Sequence, residues 1–254
     1  MIDIHNHILP GLDDGAADAQ ASLEMAKLAL SEGIHTIIAT PHHKNGRFLN
    51  PKETIEKKVD EFNQLLKSNS ISLTILPGQE NRITGDLLDE YEAGEILTLN
   101  HTNYVFIELP SNHVPRYTEK MVFDAQMNGL IPIIVHPERN QEIIENPDIL
   151  YNLVKNGTLS QITASSISGH FGKKIKKFSS QLIEANLAHF IASDAHNVTS
   201  RSFRLIEAYD EIEKIYGVDT VYQFSENAEL LVTGDAIYKE VPEKVKTKKF
   251  LGIF

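Results

Sequence analysis

Short apolar runs alternate along this chain with longer stretches whose apolar positions recur at helical spacing. The runs Ile2 to His5, Ile34 to Thr40, Ile71 to Leu76, Tyr104 to Leu109, Ile131 to Val135, Leu159 to Thr163 and His189 to Ala192 predict seven strands. Pro77-Gly78 stops the third of them. Between the strands lie helical patterns. Ala19 to Ser31 sets Leu23, Ala26 and Leu30 on one face with Met25 and Ala29 alongside, and Gly33 closes it. Pro51 to Lys67 aligns Ile55, Val59, Phe62 and Leu66. Further helices are predicted over Asp86–Ala93, Tyr117–Met127, Asp148–Lys155, Lys174–Ala185 and Ser202–Ile215, and a closing helix follows Asp219.

Sustained strand–helix alternation implies parallel strands, because each return to the same edge needs a crossover helix. The length suits an α/β barrel better than an open sheet. No repeat, low-complexity segment or linker divides the chain, so a single barrel domain over residues 1–254 is expected, with a short basic tail from about 240. Within that tail, Lys244 to Lys249 reads as a solvated terminus, with a partner-binding tail as the alternative.

The strand ends carry the chemistry. Each of the seven strands is expected to end in, or run into, a residue of metal-ligand type: His5 and His7 after the first, then His42, Glu80, Glu108 and His136, and Asp194 with His196 after the last. A barrel gathers the C-terminal ends of its strands at one mouth, so residues far apart in sequence converge there. The His-x-His pair is weak alone, since 11 histidines in 254 residues supply roughly half of one such pair by chance. Its position strengthens it. His5 and His7 are two apart at a strand end and should face the same way, and Asp194-Ala195-His196 should repeat that arrangement on the strand that closes the barrel. A carboxylate at the end of an apolar strand is costly unless it is paired or coordinates a cation. Glu80 and Glu108 both sit so, and Asp13-Asp14 adds acid to the first loop. Imidazole and carboxylate without thiolate suit manganese, iron or zinc, with the acid content leaning to manganese. The number of ligands points to two or three ions. Arg139 and Arg201 fall on loops at the mouth, where guanidinium matches phosphate oxygens in pairs. Arg47, in a looser loop, is a further substrate contact candidate. His35, His43, His101, His113, His170 and His189 are read as packed or surface residues.

Composition narrows the chemistry. The chain has no cysteine, which excludes disulfides, thiolate metal sites and a phosphocysteine intermediate. A net charge of −11 disfavours a grip on nucleic acid, and with it a nuclease. No apolar run is long enough to cross a membrane, and the opening residues lack a secretory pattern, so a cytoplasmic location is expected.

The ordered set of His5-x-His7, His42, Glu80, Glu108, His136 and Asp194-x-His196 resembles the PHP (polymerase and histidinol phosphatase) superfamily over positions 2 to about 201. Within it, MIDIHNHILPGLDDGA, HPERN and SDAH followed by Arg201 look like the CpsB/YwqE-type bacterial tyrosine-protein phosphatases. The resemblance implies a distorted (β/α)7 TIM-like barrel with three manganese ions. His5, His7, Glu80 and Asp194 would hold one; Glu80 would bridge to a second, held by Glu108 and His136; Asp14, His42 and His196 would hold the third. Arg139 and Arg201 would grip phosphate, and His42 or His196 would be the candidates to assist the leaving group. The implied reaction is hydrolysis of protein phosphotyrosine by a metal-bound hydroxide. The implied partner is the C-terminal tail of a bacterial tyrosine kinase that controls capsule or exopolysaccharide synthesis. The alternatives are a small-molecule phosphomonoesterase of histidinol-phosphatase type and a non-enzymatic, metal-stabilised regulator that binds a kinase tail.

Overall fold

The computed structural model describes residues 1–246, so the expected basic tail falls partly outside the described residues, from 247 onward. In chain order the elements are β1 (Ile2–Asn6), α1 (Ala19–Ser31), β2 (Thr36–Ala39), β3 (His42–His43), α2 (Lys52–Ser68), β4 (Thr74–Pro77), β5 (Glu80–Arg82), α3 (Leu87–Glu92), β6 (Tyr104–Glu108), α4 (Thr118–Met127), β7 (Ile131–Val135), α5 (Gln141–Glu145), α6 (Asp148–Lys155), β8 (Leu159–Thr163), α7 (Ala164–Ser168), α8 (Lys173–Glu184), β9 (Phe190–Ala192), α9 (Leu205–Tyr216) and α10 (Val218–Thr233).

Two strands continue, after a break, past the ends expected at Thr40 and Leu76, so Pro77-Gly78 interrupts the third without ending it. The second is split into β2 and β3 at Thr40-Pro41, where proline removes a ladder donor, and the third into β4 and β5 at Gly78-Gln79. The pieces still run on, giving seven parallel staves in the order β1, β2/β3, β4/β5, β6, β7, β8, β9. Contact between the first and last staves closes the barrel. Asn6 bridges Ala195, the His7 N–H donates to the Ala195 carbonyl at 2.9 Å, and the Asp194 N–H donates to the His5 carbonyl at 2.9 Å. The fully buried Asp3 clamps this seam, accepting from the Ser193 N–H at 2.9 Å, the Ser193 hydroxyl at 2.5 Å and the Asn6 amide at 2.8 Å.

Alternate residues of each strand serve different layers, as a period of two requires. Ile4, Ile38, Phe106, Ile133, Val135, Phe190 and Ala192 fill the barrel, with Ala228 and Leu231 of α10 in the same cluster. Ile37, Val105, Ile107, Ile134, Ile162 and Ile191 face the surrounding helices. Helices start where the sequence supplies partners for their free N–H groups: Asp18 caps α1 by accepting from Ala21, and Asn140 caps α5 by accepting from Ile143, each at 2.9 Å. A Cβ on Gly78 would lie 2.6 Å from Ile38 Cγ2 and 3.0 Å from both Leu99 and Thr40 methyls, so the break in the third stave needs glycine. Gly78→Ala is expected to destabilise the fold by about 1–3 kcal/mol, since Ile38 lies in a packed interior; urea unfolding against the unsubstituted chain measures it.

Candidate metal centre

Six of the seven staves deliver ligand-type side chains to one end of the barrel. β8 does not, which corrects the expectation that all seven would. Its sequence, Leu-Ser-Gln-Ile-Thr, contributes Gln161 instead, whose Oε1 accepts from His5 Nδ1 at 2.8 Å. The remaining imidazole nitrogen, His5 Nε2, turns toward Glu80 Oε2 at 3.4 Å and Asp194 Oδ1 at 3.6 Å. His7 Nε2 reaches the same two oxygens at 3.4 and 3.3 Å. His136 Nε2 lies 2.8 Å from the other Glu80 oxygen, and His42 Nδ1 lies 2.8 Å from Glu80 Oε2 and 3.6 Å from Glu108 Oε2. Asp14 Oδ1 stands 3.5 Å from His42 Nε2 and 3.4 Å from His196 Nε2. All nine residues expected as ligands therefore meet at one place.

The local backbone reaches this result by a route that strand alternation alone does not describe. Between Asp3 and Asn6 the register advances three residues on β1 against two on β2, a bulge. Ile4 packs in the barrel interior and the next residue, His5, still sets its ring 5.0 Å from the interior Phe106. Asp194 and His196 lie beyond β9, and Asp194 is held at φ 53, in the left-handed region. His136, at φ 39, is in the same region where β7 ends. Such backbone costs about 1–3 kcal/mol per non-glycine residue and clusters where surrounding contacts enforce a functional geometry.

Several side chains that do the enforcing carry no clear mark in the sequence. The adjacent acids Asp13 and Asp14 have different tasks. Asp13 turns inward, pairing with His7 Nδ1 at 2.6 Å and accepting from the Gly15 and His42 N–H groups at 2.9 and 3.0 Å. Asp14 instead faces His42 and His196. His196 Nδ1 donates to the Asp194 carbonyl at 2.9 Å, which aims Nε2 at Asp14. Arg82 holds Glu108 Oε1 at 2.9 Å. Asn140 ties the Arg139 turn to the loop after β6 by donating to the Pro110 and His113 carbonyls at 2.7 and 3.0 Å. A donor-acceptor chain of this kind fixes ring orientation and raises ligand basicity. The only signal for Asp13 is its place in the Asp-Asp pair; Gln161 and Arg82 have none.

Electrostatics supports cation binding. Burial alone would keep the Glu80 and Asp194 carboxyls protonated, but His42, His5 and His136 hold Glu80, and Arg139, His7 and His5 hold Asp194, well below the usual carboxylate range. Burial would likewise lower His7 and His42; the Asp13 carboxylate overcomes it and pushes His7 up to about 9, and Glu80 with Glu108 pushes His42 up to about 11. Burial, aided by Arg139, brings His136 down to about 4, and burial with His7 brings His196 down to about 4. The cluster thus demands positive charge around fixed anions. Glu80 Oε2, Glu108 Oε2 and His196 Nε2 are buried without a hydrogen-bond partner, an arrangement that is costly for protein alone. Donor atoms of the cluster fall into three groups, each within 4.8 Å: His7, Asp14, His42 and His196; His5, His7 and Glu80; and His42, Glu80 and Glu108, so His42 stands beside Glu80 and Glu108 where His136 was expected, and neither His136 nor Asp194 joins a group. The donor set fits oxygen- and imidazole-binding divalent ions.

Beside this cluster a cavity of about 260 Å³ is walled by His42, Glu108, Ser111, His136, Arg139 and Arg201, among others. Arg139 Nη2 meets Asp194 Oδ2 at 2.6 Å and Arg201 Nη2 meets the same oxygen at 3.4 Å. Arg47 is not part of this wall; it is exposed on the loop beyond, its guanidinium 5.2 Å from the Phe48 ring centre.

A parallel seven-stave barrel with an acid-and-imidazole cluster at its mouth defines a metal-dependent hydrolase class. The chain belongs to the capsular polysaccharide synthesis CpsB/CapC family, whose model matches residues 1–233. It is 50% identical over 254 residues to the tyrosine-protein phosphatase YwqE of Bacillus subtilis (strain 168), covering all of both chains. It is 33% identical over 222 residues to the tyrosine-protein phosphatase CpsB of Streptococcus pneumoniae, covering 85% of this chain and 91% of that one. A crystal structure described as YwqE from Bacillus subtilis and CpsB from Streptococcus pneumoniae, unique metal-dependent tyrosine phosphatases, superposes with a TM-score of 0.95 at 50% identity, covering 97% of this chain and 100% of the other.

Because Asp13 orients His7 from behind, Asp13→Ala is expected to weaken metal binding about 10- to 100-fold, while Glu24→Ala on the solvent side of α1 leaves it unchanged. Titration calorimetry with Mn²⁺ reads this directly.

Proposed function

We propose that this chain is a manganese-dependent tyrosine-protein phosphatase, with three ions held by His5, His7, Asp14, His42, Glu80, Glu108, His136, Asp194 and His196. The observation that carries the reading is the convergence of three ligand groups next to a cavity walled by two arginines. Glu80 touches His5, His7, His42 and His136 and would be shared between ions. Divalent ions at such a site polarise the phosphoryl group and lower the pKa of water.

The chain's own residues supply the rest. Arg139 and Arg201 carry N–H donors into the cavity, where they bind phosphate oxygens and offset the charge that redistributes over them. Asp194 positions both guanidiniums through one carboxylate. The phenol of tyrosine, with a pKa of about 10, leaves without strong acid help, which suits a cavity whose histidines are committed to carboxylates. His42, which lines the cavity, and His196 both stand against Asp14 and are the candidates to assist the leaving group. No thiol takes part, since the chain has none.

The substrate in this reading is a phosphotyrosine protein, with the tail of a bacterial tyrosine kinase in capsule or exopolysaccharide synthesis as the partner. The family description and the phosphatases most similar to the chain support it. No helix among the described residues is long and apolar enough to cross a membrane.

Dialysis against a chelator should abolish phosphate release from a phosphotyrosine peptide, and Mn²⁺ should restore it, with elemental analysis reporting the ion count; undiminished turnover in metal-free protein would sink the reading. Turnover of histidinol phosphate at a rate above that of the peptide would move the assignment to a small-molecule phosphatase. His136→Ala and Asp194→Ala should each lower kcat by about 10²-fold or more with an unchanged circular dichroism spectrum. Arg139→Ala should weaken inhibition by inorganic phosphate about 10-fold or more.

A further inference from the structure

We propose that the first turns of α8 form a cationic ledge beside the mouth that selects phosphotyrosine peptides with acidic residues next to the phosphotyrosine. The proposal rests on the phosphatase reading and names the substrate feature it prefers. The chain as a whole carries −11, yet Lys173, Lys174, Lys176 and Lys177 fall within five consecutive residues. They stand at the start of a 12-residue helix whose first turn holds no acidic residue. A helix N-terminus is electropositive, so lysines there repel the dipole and one another. Local sequence choices that work against stability are expected at functional positions.

The placement supplies the function. α8 lies against the turn Pro137–Arg139, and the residue that joins ledge to cavity is Phe171, two positions before Lys173. The Phe171 ring lies 5.3 Å from the Arg139 guanidinium, so a single half-buried aromatic separates a phosphate-binding arginine from the lysines. The surrounding charges leave part of the ledge free. Lys176 is engaged by Glu211 at 2.8 Å, and Glu207 is taken by His170 at 3.0 Å and Arg204 at 3.1 Å. Lys173, Lys174 and Lys177 are exposed and make no ion pair among the described residues. A peptide extended across Phe171 advances about 3.4 Å per residue, which brings side chains within about four positions of the phosphotyrosine over these ammonium groups. The partner chemistry is therefore an acidic peptide, drawn in by complementary charge.

The test compares kcat/KM for three substrates: a small aryl phosphate, a phosphotyrosine peptide with serine and glycine flanks, and the same peptide with glutamate flanks. Each is measured with the Mn²⁺-loaded chain and with the Lys173→Gln, Lys174→Gln, Lys177→Gln variant. The glutamate peptide is expected to be favoured over the neutral one by about 3- to 10-fold at low salt, with the preference shrinking as ionic strength rises to about 0.5 M. The triple variant should lose that preference while its rate on the aryl phosphate, which does not reach α8, stays within about twofold of the parent. Equal kcat/KM for the two peptides in the parent, or a preference that survives the triple substitution, overturns the ledge. A variant that loses binding to phosphatidylserine vesicles without changing peptide preference also overturns it, in favour of a membrane-facing surface. Absence of phosphate release from all three substrates instead overturns the phosphatase reading.

Discussion

Two buried carboxylates, Glu80 and Asp194, dictate much of this structure. Each is almost fully excluded from water and held ionised by the imidazole and guanidinium groups around it. An ionised acid in such a setting is unfavourable unless positive charge and hydrogen bonds compensate it. The compensation comes from every side of the mouth: His5 from β1 and His7 just after it, His42 from β3, His136 just after β7, and Arg139 and Arg201 from the loops. Because these partners come from distant parts of the sequence, the charge cluster forms only when the barrel is closed. A divalent cation that binds the closed form would stabilise it by mass action.

The barrel seam shows the same coupling at the level of backbone. β1 and β9 join through few main-chain bonds, and Asp3, Asn6 and Ser193 make up the difference with side-chain hydrogen bonds. Those residues neighbour His5, His7 and Asp194 in sequence. The seam therefore sets where the proposed ligands stand, and the left-handed backbone at Asp194 precedes the turn that brings His196 to Asp14. A barrel of seven staves instead of eight brings its first and last strands together at the very place where the sequence concentrates imidazole.

Features of the fold and site are legible in the amino-acid sequence to the extent that their signal is local. Alternating strand and helix patterns imply the barrel because each apolar run is short and bounded by glycine, proline or polar residues. The residues proposed as ligands stand out because ionisable groups at the ends of apolar strands are rare and need a reason. What stays hidden is conferred by tertiary contact. Gln161 looks like any polar strand residue until His5, 156 positions away, is seen to donate to it. Asp13 and Asp14 are chemically identical neighbours, and only the loop conformation after β1 sends one behind His7 and the other toward the opening. The breaks at Pro41 and Gly78 are partly visible as Pro and Gly, but the continuation of each stave beyond them is not. Strand alternation predicts the correct convergence for His5 through a geometry that the bulge in β1 replaces.

The absence of cysteine gives the site its character. A thiolate nucleophile needs one low-pKa group and a loop of N–H donors around it. A hydrolytic metal site needs instead many ligands fixed to within a fraction of an ångström, because its reactive groups are spread over several side chains. A barrel meets that demand well, since each ligand rides on a separate strand held by its two neighbours. The mouth gathers the carboxylates of Asp14, Glu80, Glu108 and Asp194, a field that bound dications would reverse. Arg139 and Arg201, both set against the Asp194 carboxylate, would add positive charge where the proposed phosphate binds. Beyond the rim, in a chain of net charge −11, attraction must come from an uneven distribution of charge. The four lysines of α8, one aromatic ring away from Arg139, are where the chain places it.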